Sequence, residues 1–170
     1  HLINISEDIL LEIEYEKIYN NRFSVLRKAF AAFGGVLDGE FAGFVAENES
    51  WIHDYALYMS VKAHFYMKSW REWEDEDIRL HKPDAVERYK EELKDEVLFY
   101  EYLQYLFYSQ WKKLREYAKE KGISIIGDIP IYVAMDSADV WANTELFQFD
   151  DDGNPDQTVA AETVIIANTF

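Results

Sequence analysis

No cysteine occurs in this 170-residue chain, so it holds neither a disulfide framework nor a thiolate-ligated metal. That usage suits a reducing compartment, and the cytoplasm is the default expectation. Three prolines are too few for a proline-rich linker, and no repeat or low-complexity tract divides the chain. There is no run of about eighteen apolar residues and no basic start leading into an apolar core, so neither a membrane span nor a signal peptide is legible. Basic side chains are also scarce: 17 stand against 33 acidic ones, for a formal charge of -16. Phosphate backbones and anionic lipid surfaces are repelled by such a balance, which sets nucleic acid and membrane aside as partners. The four histidines, His1, His53, His64 and His81, have no ligand spacing, and no metal or cofactor is expected.

What is abundant is apolar and aromatic surface, 49% and 16% of residues, in a chain long enough to bury a core. From Tyr15, apolar residues Tyr19, Leu26, Phe30 and Phe33 recur at helical steps and run into Gly34-Gly35, which predicts an amphipathic helix with a glycine stop. Phe41, Phe44 and Val45 predict a short second helix. Trp51, Ile52, Tyr55, Ala56, Met59 and Ala63 predict a third, more substantial one. Residues 69–82 mix charge with Trp70 and Trp73 without a sustained period and read as a loop. With neighbouring Tyr66, these tryptophans are read as packing residues, sugar stacking being the rarer use of such a cluster. Pro83 then opens a stripe through Tyr89, Leu93, Val97, Trp111 and Ala118 to Gly122, predicting one continuous helix of about 39 residues, roughly 58 Å long, with a buried middle that includes Trp111.

After Gly122, the run Ile123-Ser124-Ile125-Ile126 is too short and too apolar for another helix and is read as a buried parallel strand ending at Gly127-Asp128. In parallel α/β architectures chemistry sits at that end of a strand, which singles out Asp128; a turn-capping carboxylate is the bland alternative. Tyr132, Asp136 and Asp139 follow closely, although Asp136 and Ser137 equally suit the cap of a short helix carrying Val140 and Trp141. The stretches 145–149 and 158–167 flank Asp152-Gly153 and read as a hairpin. Carboxylates from Asp150 to Asp156 resemble a calcium loop only superficially, since the spacing lacks the required glycine and glutamate positions.

The segment GDIPIYVAMDSADVWANTELFQFDDDGNP resembles the corresponding stretch of the amylomaltases, the 4-alpha-glucanotransferases that cut and rejoin alpha-1,4-linked glucose chains. YEKIYNNRFSVLRKAF, WIHDYALYMSVKAHFYMKSWREW and residues 99–122 are similar to that family as well, so the resemblance runs over residues 15–160. Met135 stands where histidine is common in the family. The resemblance implies a retaining reaction on maltooligosaccharides or starch-type glucans, with one carboxylate attacking the anomeric carbon and another protonating the leaving oxygen. It implies that Asp128 supports the active site from the end of the third barrel strand, together with Tyr132 and Asp136, none of the three being a catalytic carboxylate. The family's Asp-His-Phe-Arg, Gly-Glu-Asp and His-Asp-Asn catalytic motifs do not occur here, and the only His-Asp pair, His53-Asp54, falls in a predicted helix.

The chain is therefore read as α/β, a fragment of a (β/α)8-barrel glucanotransferase, with a helical subdomain over 1–121, a barrel strand, active-site loop and hairpin over 122–160, and an unassigned segment 161–170. A barrel needs about 250 residues, so this chain closes none and by itself is expected to be inactive. Its start at His1 and its apolar end fit a piece of a longer protein. The rival reading is a non-catalytic helical interaction or carbohydrate-binding domain. A small complete enzyme using Asp128 and Asp136 is weaker, because no acid/base constellation accompanies them.

Overall fold

A computed structural model describes residues 14–34, 39–127, 133–147 and 149, which fall in two units, 1–36 and 37–170. In the first, helix α1 (Tyr15–Phe33) ends as its sequence predicts: Gly34 takes the left-handed conformation at φ 78° and donates its N–H to the Phe30 carbonyl. A side chain at that φ would clash with the backbone, so glycine is the residue that lets the helix stop there.

The second unit is built on α3 (Ile52–His64). Ile52, Ala56 and Ser60 recur every four residues, as do Leu57 and Val61, so α3 buries a broad face, and the Ser60 hydroxyl is satisfied by donating to the Ala56 carbonyl at 2.7 Å. Helix α2 (Gly39–Glu47) precedes it. The segment read as a loop, 69–82, is instead structured: a 3₁₀ turn, Trp70–Glu72, leads to α4 (Glu76–Arg79), whose N-terminus is capped by Asp75 accepting from Asp77 and Ile78. Its apolar residues lack a period because each short element contributes one or two anchors, Trp70, Trp73 and Ile78, all buried.

The long stripe from Pro83 is two helices, α5 (Pro83–Glu92) and α6 (Lys94–Glu120), which corrects the expectation of one rod. Leu93 sits between them at φ -106°, ψ 20°, outside helical geometry, yet its N–H still reaches the Tyr89 carbonyl and its carbonyl still accepts from Val97. Side-chain period survives such a bend, so sequence pattern does not register it. The bend lets α5 pack Ala85, Val86 and Tyr89 into one core with Leu57, Tyr58, Val61, Phe65, Trp70, Trp73, Ile78, Val140 and Trp141. The N-terminal half of α6 packs on α3 and buries Phe99, Tyr100, Glu101 and Tyr102. Trp111 is only half-buried, against the expectation of a core position, because the partners of α6 stop short of it.

A Schellman arrangement ends α6. Gly122, at φ 70°, donates to Lys119 at 3.0 Å, and Ile123 donates to Ala118 at 2.9 Å. Residues 123–127 then run on without helical or strand pairing, and Ile123 and Ile126 are 61% and 94% exposed, so the expected buried strand is not formed here. A strand is defined by its ladder, and no strand exists among the described residues to supply one. Helix α7 (Ala138–Ala142) is capped by Ser137, whose hydroxyl accepts from Val140. Thr144–Leu146 is a 3₁₀ turn, so the first arm expected of the hairpin does not begin as a strand at 145, and Phe149 makes an isolated bridge; the second arm and the Asp150 to Asp156 run lie outside the described residues. No helix among the described residues is long and apolar enough to cross a membrane.

Candidate functional site

Of the three site residues singled out in the sequence, Asp128 and Tyr132 lie outside the described residues, and Asp136 lies inside them. Asp136 stands two residues before α7, and its carboxylate is held by three donors from far along the chain. Oδ1 accepts from the Tyr58 hydroxyl at 2.7 Å and from the Trp70 backbone N–H at 3.2 Å. Oδ2 accepts from the Lys62 ammonium, which also lies 3.4 Å from the Tyr58 oxygen. Trp70 adds a second tie, its indole N–H donating to the Met135 carbonyl at 2.9 Å. Tyr58 and Lys62, four residues apart, share one face of α3, so α3 and the Trp70 turn together grip the loop at 135–136.

The electrostatics follow from that geometry. Burial alone would raise the Asp136 carboxyl, but the bonds from Lys62, Tyr58 and the Trp70 N–H, with the Lys62 charge, hold it below the usual aspartate range. The Tyr58 phenol moves the opposite way, pushed well above its ordinary value by burial and by its bond to Asp136. A carboxylate that is ionised and already accepts from three donors is a poor proton donor and a poor base. What it does is fix the loop. Of the two candidate caps, Ser137 caps α7, and Asp136 points back to α3.

A second polar pair joins α3 to α6. Glu101, 5% exposed, faces His53 Nδ1 at 2.8 Å, while His53 itself is half-exposed. Burial pushes the Glu101 carboxyl up, and the bond to His53 offsets this only in part. His81 is held edge-on against Trp141, ring centres 4.5 Å apart, and burial lowers its pKa. Trp70 and Trp73 prove to be core residues, as their packing reading implies.

Sequence reasoning missed Tyr58, Lys62, His53 and Glu101 as partners, although a signal was present. Lys62 falls between Val61 and Ala63 on a helix that also carries Tyr58 and Met59, and Glu101 interrupts Phe99-Tyr100-Tyr102-Leu103. A lone charge in an apolar helix face requires a partner from another element.

Comparison with known proteins is consistent along the chain. The family profile described as 4-alpha-glucanotransferase matches residues 2–161. The 4-alpha-glucanotransferase of Clostridium butyricum is 47% identical over 135 residues, covering 79% of this chain and 28% of that protein. Its counterpart from Streptococcus pneumoniae is 44% identical over 143 residues, covering 84% and 28%. Among solved structures, the amylomaltase from Streptococcus agalactiae in complex with acarbose superposes with a TM-score of 0.74 at 40% identity, covering 83% of this chain and 29% of that one. The chain thus spans a little over a quarter of the length of these relatives. With a family match that leaves few of its residues uncovered, the chain belongs to the 4-alpha-glucanotransferase family.

Proposed function

We propose that this chain is part of an enzyme that transfers alpha-1,4-glucan segments between maltooligosaccharides with retention of configuration. The observation that carries this reading is the family match over residues 2–161, supported by a fold shared with an amylomaltase crystallised with acarbose. In such a reaction a carboxylate displaces the leaving glucan from the anomeric carbon while a second carboxyl protonates the departing oxygen; an acceptor hydroxyl then reverses both steps. Those two groups belong to polypeptide beyond this segment. Its own contribution is positional. Asp128 and Tyr132 hold sugar hydroxyls at the mouth of the site, and Asp136, clamped by Tyr58, Lys62 and Trp70, fixes the carboxyl end of the loop that bears them.

The test is kinetic. In the full-length enzyme, Asp128→Asn is expected to lower glucan transfer from maltotriose at least about tenfold, about 1.4 kcal/mol of transition-state stabilisation, with thermal unfolding nearly unchanged. Full activity in that variant would make the aspartate a turn residue. The isolated 170-residue chain is expected to release no glucose from maltotriose. Glucose and longer oligomers formed by it, and abolished by Asp128→Ala, would overturn the assignment of the chemistry to other polypeptide.

A further inference from the structure

Among the described residues, Nε2 of His81 is the only buried side-chain nitrogen or oxygen without a hydrogen-bond partner. A fold that strands such an atom gives it a second arrangement or a role beyond packing. The residue is also held against its own preference, at φ 51°, in the left-handed region that a side chain disfavours. What holds it is shared with α7. The Ile78 carbonyl accepts the His81 backbone N–H at 3.0 Å and the Trp141 indole N–H at 2.9 Å. Trp141 is fully buried, and the imidazole stands edge-on to it at 90°. His81 and Trp141 thus hang from one oxygen and pack on each other, and Trp141 belongs to the helix that follows the grip on Asp136.

We propose that His81 is a positioning residue that works as a proton-operated latch: neutral, it seats α7 through Trp141, and protonated, it turns to Asp54 and lets α7 loosen. The proposal deepens the functional reading above and rests on it for the consequence, which is that the return of the loop bearing Asp128 becomes less well fixed in acid. The second seat is visible in the geometry. A charged imidazole needs an acceptor at each N–H, and Asp54 Oδ1 lies 3.9 Å from Nε2, too far for a bond until the ring moves by about 1 Å. That movement takes it off Trp141. Burial favours the neutral ring; the Asp54 charge from α3 opposes this, Lys90 from α5 reinforces it, and Glu145 from the turn after α7 opposes it again, with the balance below the ordinary histidine value. Of the two carboxylates, Asp54 is the one within ion-pair distance. On the stretch of His81 itself, Asp77 and Lys82 are bonded to each other at 2.6 Å. With the folded value depressed, the stability of the closed arrangement is fully present above about pH 6.5 and is lost as pH falls through the folded value.

The test uses the full-length enzyme as wild type, His81→Asn and Asp54→Asn. Asparagine at 81 tolerates the left-handed backbone and does not titrate, which separates the proton from the strain. Hydrogen exchange of the α7 amides, corrected for its intrinsic pH dependence, and kcat/KM for transfer from maltotriose are followed from pH 8 to pH 5. Between pH 7.5 and pH 5.5 the wild type should lose at least about fivefold in α7 protection, and its kcat/KM should fall by at least about threefold more than that of His81→Asn. Asp54→Asn removes the charged seat, so its loss of protection should be centred at a lower pH than in the wild type. Protection lost equally in wild type and His81→Asn overturns the proposal, as does a midpoint that Asp54→Asn leaves in place. Exchange that differs while the two kcat/KM profiles run parallel overturns the link to the loop, and the proposal with it. Wild-type protection that is the same at both pH values overturns it even if neither variant folds. An enzyme that shows the exchange contrast yet transfers no glucan at any pH sinks the functional reading and leaves the latch standing.

Discussion

The grip on Asp136 is open to a double-mutant cycle. Lys62 is 13% exposed and Asp136 39%, so the pair lies between a surface ion pair and a buried one. A hydrogen bond to a charged group contributes about 1.5–3 kcal/mol when sheltered, and an exposed ion pair about 0.2–1 kcal/mol. With the carboxylate more than a third exposed, solvent screening places the Lys62–Asp136 coupling near about 1 kcal/mol. Asp136→Ala also strands the buried Tyr58 hydroxyl and the Trp70 N–H, so its total cost is expected at about 2–3 kcal/mol, or about 4–12 °C in Tm for a chain of this size. Asp136→Asn keeps an acceptor for both and should cost about half as much. The pH dependence has a definite sign: the folded-state carboxyl lies below its unfolded value of about 3.9, so this stabilisation is fully present above that pH and is lost as pH falls through the folded value. Urea titration of wild type, Asp136→Asn, Lys62→Met and the double variant at pH 7, repeated down to pH 2, measures both quantities. A coupling below about 0.3 kcal/mol, or a wild-type advantage over Asp136→Asn that persists undiminished at pH 2, would refute the reasoning.

Trp141, fully buried with its indole N–H on the Ile78 carbonyl at 2.9 Å, should cost about 3–5 kcal/mol on truncation to alanine, whereas half-buried Trp111 should cost less than about 1.5 kcal/mol in the isolated chain; denaturant midpoints of the two variants give the comparison. Glu101 is raised in the folded state, so the native protein holds that proton more tightly, and stability falls as pH rises from the ordinary glutamate value of about 4.3 through the folded one. The cost of Glu101→Gln should therefore shrink from pH 4 to pH 7, and a cost that grows over that range would contradict the assignment. Gly122→Ala should lose about 1 kcal/mol, from the left-handed φ of 70° alone, since a Cβ there meets no atom within 4 Å; an unchanged Tm would remove the αL requirement from the end of α6.

How much of this was legible in the sequence depended on whether a feature is local. Glycine stops at Gly34 and Gly122, proline at the first turn of α5 and the serine cap of α7 each depend on a residue and its immediate neighbours, and all are found where the pattern placed them. The break at Leu93 was invisible because the apolar stripe crosses it in register, through Tyr89, Leu93 and Val97, while only the backbone turns aside. Trp70 and Trp73 lay in a stretch without period because their burial comes from being covered by other elements, Trp73 by Tyr58, Phe65 and Trp141, rather than from a repeating face of their own. Asp136 was picked out by its motif, but its role depended on residues 66 to 78 positions away.

Under the functional reading above, that distance bears on how a segment without the family's catalytic motifs would contribute. The stretch from Gly122 to α7 is tied at both ends: the Schellman bonds to Lys119 and Ala118 fix its departure, and the bonds from Tyr58, Lys62 and Trp70 fix its return. Each tie draws on a rigid element, α6 at one end and α3 with the Trp70 turn at the other. Anchoring a connection to rigid elements at its two ends limits where it can leave and return. An exposed carboxylate like Asp136, ineffective as an acid or base, acts there through geometry. Its loss would loosen the return of the loop and, under the functional reading above, the position of Asp128, eight residues upstream in the same connection.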